Sequence, residues 1–238
     1  MKVIGARNLP KIVGSLLSRL LCRGTVKVWA YRGCISLSTS QLQSAFDFVN
    51  GAVGYRYRSG ASRRDALARA AGFARGNTPT IIDATAGLGR DAFLLACLGA
   101  QVTLLERSRQ VHDHLRDALA RADAENPELA AVVARMTLMS GDARDLLPGL
   151  RADAVIVDPM HPPRTNSAIV KQEMRLLREL VGTDPDALEL MRAALAADCK
   201  RVVLKWPLRA APLQGLRKPS HSIGGKTVRY DVFMMAAR

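Results

Sequence analysis

The chain has 238 residues, 48% of them apolar, enough for one full-sized α/β domain with a sizeable core and a small appendage. Its 35 Lys and Arg against 21 Asp and Glu give a formal net charge of +14, which favours a polyanionic partner; charge of this kind speaks to partners and solubility, not to fold. The four cysteines, Cys22, Cys34, Cys97 and Cys199, form no C-x-x-C and have no histidine at ligand spacing, which argues against a zinc site or a disulfide framework, and no apolar run is long enough to span a bilayer.

Residues 1–44 differ from the rest. They carry Lys2, Arg7, Lys11, Arg19, Arg23, Lys27 and Arg32 and no acid. Three readings stay open: a targeting segment, a basic arm on RNA phosphates, and a weakly structured extension. No small-residue cleavage site follows a clean apolar stretch, so secretion is set aside. The extension is preferred, with the arm second. In residues 45–76, Phe46-Asp47-Phe48-Val49 alternates like a short strand, Asn50-Gly51 signals a turn, and Tyr55-Arg56-Tyr57-Arg58 interleaves aromatic and basic residues. Ser62 reads as the cap of a helix ended by Gly72.

From residue 79 onward strands and helices alternate. Strands are expected at residues 80–83, 101–106, 136–140, 154–158, 201–205 and 227–235. Helices are expected at 90–98, 109–122, 174–181 and 187–197, with a hairpin turning at Gly224-Gly225. This pattern argues a mostly parallel sheet covered on both faces, of Rossmann-like type, ending in an antiparallel strand. The expected organisation is a basic extension over 1–44, a small RNA-contacting region over 45–76, and an α/β domain over 77–238.

Four strand ends carry chemistry. Asp83 precedes the turn Ala84-Thr85-Ala86-Gly87-Leu88-Gly89, whose glycines let the backbone pass close to a ligand before the helix that starts at Arg90-Asp91. An acid at the end of the first strand would meet the α-amino group of a methionine moiety and would repel a pyrophosphate. Glu106 ends the second strand, where an acid accepts ribose hydroxyl protons. Asp142, after the third strand, reads equally as a receiver of an adenine amino group and as a helix N-cap. Asp158-Pro159-Met160-His161 follows the fourth strand. There a carboxylate and the Pro159 carbonyl can accept both protons of an exocyclic amine and aim its nitrogen at a methyl group, while His161 stacks on the base. In-line displacement from a sulfonium needs alignment more than a strong base. The basic residues Arg56, Arg58, Arg63, Arg64, Lys171 and Arg175 are candidates for RNA phosphates. Trp206 reads either as core or as a stacking platform, and His112, His114 and His221 read as surface residues.

The run Asp83 to Asp91, Leu105-Glu106-Arg107, Asp158-Pro159-Met160, Ser167 through Arg175 and Arg201-Val202-Val203-Leu204-Lys205, together with Phe46 to Val49, resembles the bacterial ribosomal RNA small subunit methyltransferase J family over residues 45–235. The resemblance implies a class I S-adenosylmethionine-dependent methyltransferase of the cytoplasm that methylates a guanine N2 near the 3′ end of 16S ribosomal RNA, with that RNA or the assembled 30S subunit as partner and no metal or membrane. It implies cofactor contacts at Arg90, Asp91, Glu106, Arg107, Asp142, Ala143 and Asp158, beside Asp83, Gly87 and Gly89 read from the turn. The sequence departs from the family at Asp142-Ala143, where small hydroxyl residues are usual, at His161, where a Phe is expected, and in residues 1–44. Rival readings are an amine methyltransferase acting on another base or on protein, and a non-catalytic RNA-binding protein that keeps a degenerate fold.

Overall fold

In a computed structural model, the alternation of strands and helices becomes a seven-stranded sheet. The structure describes residues 45–51, 54, 60, 62–74, 76–160 and 185–236. The expected extension at 1–44, the Tyr55 to Arg58 run, His161, Lys171, Arg175 and the helix expected at 174–181 lie outside the described residues.

The strands are β1 (Ile81–Asp83), β2 (Val102–Glu106), β3 (Met136–Ser140), β4 (Arg151–Val157), β5 (Asp198–Pro207), β6 (His221–Gly224) and β7 (Val228–Met234), in the order β3-β2-β1-β4-β5-β7-β6. β1 through β5 pair in parallel, and β7 runs antiparallel between β5 and β6. This is the class I methyltransferase arrangement. Strand order reverses where β1 lies beside β4, so the crevice for a ligand opens beyond the carboxyl ends of these strands. The register is pinned at the far end: Thr80 donates its backbone N–H to the Asp153 carboxylate at 2.8 Å, and Asp153 donates its own to the Thr80 hydroxyl at 3.0 Å.

The helices are α1 (Ala66–Ala71), α2 (Arg90–Cys97), α3 (Arg109–Glu125), α4 (Pro127–Val133), α5 (Ala143–Leu146) and α6 (Ala187–Ala196), with a 3-10 turn at Leu147–Gly149. On one side of the sheet Val155, Val157, Val202 and Leu204 bury against Leu190, Met191 and Ala194 of α6. α2 and α3 carry their own buried stripes, with Phe93 and Leu95 on the first and Val111, Leu115 and Ala122 on the second. The unanticipated α4 has a clear local cause: the Asn126 side chain accepts the Leu129 N–H at 2.9 Å, and Pro127 sits at the first helical position.

Two expectations in the 45–76 region need correction. Residues 46–49 form no strand. The Asp47 carboxylate accepts the backbone N–H groups of Val49 and Asn50, both at 2.9 Å, which curls the segment into a turn. The alternation instead places two buried rings: Phe48 stacks on Phe93 with centroids 4.7 Å apart, and Phe46 stacks on His114 at 5.6 Å. His112 and His114 are accordingly half-buried, while His221 is exposed. Ser62 does not cap α1; Asp65 occupies that position, and Ser62 starts the preceding turn, its carbonyl accepting the Asp65 N–H. Gly72 ends α1 with φ at 102°, in the left-handed region where glycine escapes the Cβ clash. Arg63 is also engaged: it donates to the Thr78 hydroxyl at 2.8 Å and to the Leu98 carbonyl at 3.2 Å, past the end of α2, and lies over the Phe73 ring.

The segment around Phe48 thus braces α2, the helix whose first turn borders the crevice. Replacing Phe48 by Ala should lower unfolding stability by about 3–5 kcal/mol. In a denaturant titration this appears as a lower midpoint with an unchanged slope.

Candidate active site

The carboxyl ends of β1, β2, β4 and β5 open onto a cavity of about 400 Å³. That volume falls within the usual range for a small-molecule site. Asp83, Gly87, Arg90, Asp91, Glu106 and Arg107 line it, as do Asp142, Ala143, Asp158 and Pro159. The structure therefore brings together every described residue expected for catalysis or cofactor binding except Gly89, while Arg63 and Arg64, expected at RNA phosphates, do not line the cavity. Gly89 takes φ of 66° at the N-cap of α2, and a Cβ there would meet Leu115 at 2.7 Å and Phe48 at 3.2 Å. It lets the turn reverse and the helix seat closely and is absent from the cavity wall.

The floor is built around Lys205, at the end of β5. Its Nζ lies 2.7 Å from Asp91 Oδ2 in the first turn of α2 and 2.7 Å from Asp158 Oδ2 after β4. Burial pulls the lysine toward the neutral form, but the two carboxylates outweigh it and hold the pKa well above the usual lysine range. Thr85 ties the same groups from the turn. Its backbone N–H donates to Asp83 at 3.1 Å, and its hydroxyl accepts the Asp158 backbone N–H at 2.8 Å. The Asp158 side chain is 43% exposed, whereas Asp83 as a whole is 5% exposed. Burial pushes the Asp83 carboxyl up to about 7, the Thr85 N–H pulls it back, and the charges of Asp91 and Asp158 push it further up. Three acids thus crowd one lysine, an arrangement that a cationic group of a ligand would relieve.

The Glu106 carboxylate is held from both sides: one oxygen accepts the Gly87 N–H at 2.9 Å and the other the Ser108 N–H at 2.8 Å. This fixes its orientation at the cavity wall, as a ribose-binding acid requires. A second charged group stands at the wall beyond it. Asp186, which precedes α6, takes Arg107 at 2.7 Å and Arg144 at 3.1 Å, and Arg144 also pairs with Asp142 at 2.7 Å. Asp142 is the N-cap of α5, accepting the Arg144 N–H at 2.9 Å, and the Arg144 guanidinium holds its carboxyl below the usual carboxylate range. It lines the cavity as well, so the cap and the ligand-facing position are one residue. Trp206 is buried, 8% exposed with its Nε1 donating to the Ala211 carbonyl at 2.8 Å, and it also lines the cavity.

Lys205, Thr85, Arg144 and Asp186 were not singled out from the sequence as site residues. Lys205 had a usable signal, a lysine ending a strand beside three acid-ended strands. Asp186, an acid directly before an expected helix, had a weaker one. Residues that could hold S-adenosylmethionine are present: Asp83 and Asp91 for the methionine ammonium, Glu106 for the ribose hydroxyls, and Asp142 with Ala143 for adenine. Among the described residues no cluster of His, Cys, Asp and Glu is placed to hold a metal ion, and no helix is long and apolar enough to cross a membrane.

Over residues 31–235 the sequence matches the family described as "Putative SAM-dependent methyltransferase". It is 70% identical over 191 residues to a Ribosomal RNA small subunit methyltransferase J from Rhodopseudomonas palustris (strain HaA2), covering 80% of this chain and 88% of the relative. It is 63% identical over 189 residues to the protein of the same name from Agrobacterium fabrum (strain C58), covering 79% and 91%. Among solved structures, a SAM-dependent methyltransferase from Neisseria gonorrhoeae is 35% identical with a TM-score of 0.57, over 71% of this chain and 70% of that one.

The raised Asp83 pKa has a consequence for stability. A carboxyl whose folded pKa of about 7 exceeds its ordinary 3.8 favours folding below the lower value, and that contribution is lost as pH climbs from about 4 to 7. Asp83→Asn, which keeps an acceptor for the Thr85 N–H, should therefore stabilise the ligand-free protein at pH 8, by at most roughly 4 kcal/mol. The gain should vanish below pH 4. Thermal melts of both proteins across pH 4–8 check it; a difference independent of pH would contradict the assignment.

Proposed function

The chain belongs to the ribosomal RNA small subunit methyltransferase J family, and from that membership we propose that it moves the methyl group of S-adenosylmethionine to the exocyclic N2 amine of a guanine in small-subunit ribosomal RNA. Its setting is the cytoplasm, and its substrate is that RNA, free or assembled in the 30S subunit. The observation that carries the reading is the Asp158-Pro159 end of β4 opening into the same cavity as the acid-rich ends of β1 and β2.

When bound, S-adenosylmethionine supplies an electrophilic methyl carbon on a sulfonium. The protein's task is then to align an amine with it and to receive protons. Asp158 is suited to this. Lys205 anchors its carboxylate and the Thr85 hydroxyl fixes its backbone, which orients the group to accept a hydrogen bond from an amine. The Pro159 carbonyl accepts a hydrogen bond from the second N–H of the amine. The pair draws the nitrogen lone pair out of the ring plane and toward the methyl carbon, an orientation effect rather than strong-base catalysis. The carboxylate, beside the Lys205 ammonium, takes up the proton that the methylated nitrogen releases. His161, outside the described residues, is the candidate to stack on the base. Asp83 and Asp91 hold the ammonium of the methionine moiety, Glu106 the ribose, and Asp142 and Ala143 the adenine. Gly87 and Arg90 shape the wall that faces it, and Arg107 stabilises the adenine end through Asp186.

The test is transfer of labelled methyl from S-adenosylmethionine to small ribosomal subunits from a strain lacking the gene, with nucleoside digestion of the product. Label should appear as N2-methylguanosine. Asp158→Ala should cut the rate on the order of a hundredfold or more while cofactor still binds, because misalignment of the amine alone costs about that much. Label in another nucleoside or in ribosomal protein would replace the guanine assignment with one of the rival amines. Cofactor binding with no label anywhere would leave a non-catalytic binding protein.

A further inference from the structure

Beside the cavity lies a built edge that the reading above does not use. Pro207 and Val228, a register pair of β5 and β7, form part of the cavity wall. Just beyond them, Leu208 donates its backbone N–H to the Thr227 carbonyl at 3.1 Å, so the turn that leaves β5 and the tip of the β6–β7 hairpin lie side by side.

Both turns are held: the hairpin tip by the Gly225 N–H donating to the Val228 carbonyl at 2.8 Å, and the turn leaving β5 by side chains. The Arg229 guanidinium donates to the carbonyls of Pro207, Leu208 and Ala210 at 3.0, 3.1 and 2.9 Å. Its Nε meets both oxygens of the buried Asp231 at 3.1 and 3.0 Å, and Asp231 also accepts the Ser222 hydroxyl at 2.6 Å. Trp206 clasps the Ala211 carbonyl. The acid nearest in sequence, Asp231, is thereby neutralised and turned inward.

Arg209 and Lys226 remain exposed on this edge, and among the described residues neither forms an ion pair. Between the two turns sits Leu208, a large apolar side chain left 39% exposed. Residues 208–230 contain no Asp or Glu at all. The cavity floor has the opposite character, with Asp83, Asp91 and Asp158 around a single Lys205. Such a floor repels a polyanion, so a strand that delivers a base into it must be held by cations at the mouth.

We propose that the paired turns carrying Arg209, Leu208 and Lys226 form the docking edge for the RNA strand that flanks the target base. Arg209 and Lys226 hold its phosphates, and Leu208 packs against a neighbouring base or ribose. Fixed turns suit the task because a rigid rim places the phosphates, and through them the base, at a set distance from Asp158. The edge rests on the RNA reading given above.

The opposite end of the same β6–β7 hairpin supplies an internal control. Arg217 and Lys218 precede β6, and Arg217 donates to the Met234 carbonyl at the far end of β7, away from the cavity mouth. Methyl transfer to small-subunit RNA is measured with the full chain at salt from 50 to 200 mM. Variants are Arg209→Ala with Lys226→Ala, the charge reversal Arg209→Glu with Lys226→Glu, and Arg217→Ala with Lys218→Ala.

The first pair should raise KM for RNA and leave kcat and cofactor affinity unchanged. It should also flatten the dependence of log KM on log salt by about 0.7–0.9 per lost contact. The reversal should act more strongly in the same direction, and the control pair should do neither. If wild type methylates RNA but the first pair leaves KM and salt slope unmoved, or the control pair matches its effect, the docking edge is overturned while the function stands. If wild type places label in protein and none in RNA, the RNA reading falls and the edge falls with it.

Discussion

One half-buried ammonium holds the ends of three chain segments together. Lys205 reaches from β5 to Asp91 on α2 and to Asp158 after β4, each at 2.7 Å, while Asp83 on β1 sits close enough for both acids to raise its pKa. Three carboxylates gathered at the edge of a sheet repel one another, and withdrawal from water makes this worse. Without the lysine the turn after β1 and the loop after β4 would be driven apart, and the cavity between them would lose its floor. With it, a surplus of negative charge remains, partly relieved by protonation of Asp83. The floor therefore selects for a cation. A sulfonium carrying an ammonium is of that sign, which accounts for a cofactor site in a chain whose overall charge is strongly positive.

The two signs of charge divide by position. Acids line the interior of the cavity at the strand ends, whereas the segment that leaves β5 and returns through the hairpin carries only basic charge until Asp231. Asp231 is itself consumed in orienting Arg229, whose guanidinium gathers three backbone carbonyls. Planar, multidentate donation is what an arginine supplies and a lysine does not. Interior and rim are thus built by the same device, a charge pair that fixes neighbouring segments, with opposite consequences for what each surface attracts.

The N-terminal part of the described chain serves the site indirectly. Phe48 stacks on Phe93 and approaches the open side of Gly89, and Arg90 and Arg121 donate to the carbonyls of Ala45 and Phe46. These contacts seat α2 so that its first turn delivers Asp91 to Lys205. Gly89 has no side chain because the ring of Phe48 and the tip of Leu115 already occupy that space.

Strands β1 to β5 and β7, helices α2, α3 and α6, the glycine turn and the acids at Asp83, Glu106 and Asp158 are legible along the chain, because hydrophobic period, caps and turn residues act over a few residues. The sequence by itself left open which acid met which cation. Asp91 and Lys205 are 114 residues apart, and Arg107 and Asp186 are 79 apart, so their pairing waits on the strand order that lays β1 beside β4 and β4 beside β5. Local reading also misjudged residues 46–49, whose alternation of rings is satisfied by a side-chain-stabilised turn once Phe93 and His114 are there to receive them. At Asp142 the start of a helix and the wall of the cavity coincide, so the cap and the ligand-facing position that local sequence offers as alternatives are one residue. Residue types at strand ends could be read along the chain, whereas their partnerships, protonation and exposure were decided only when the sheet brought distant segments within hydrogen-bonding reach.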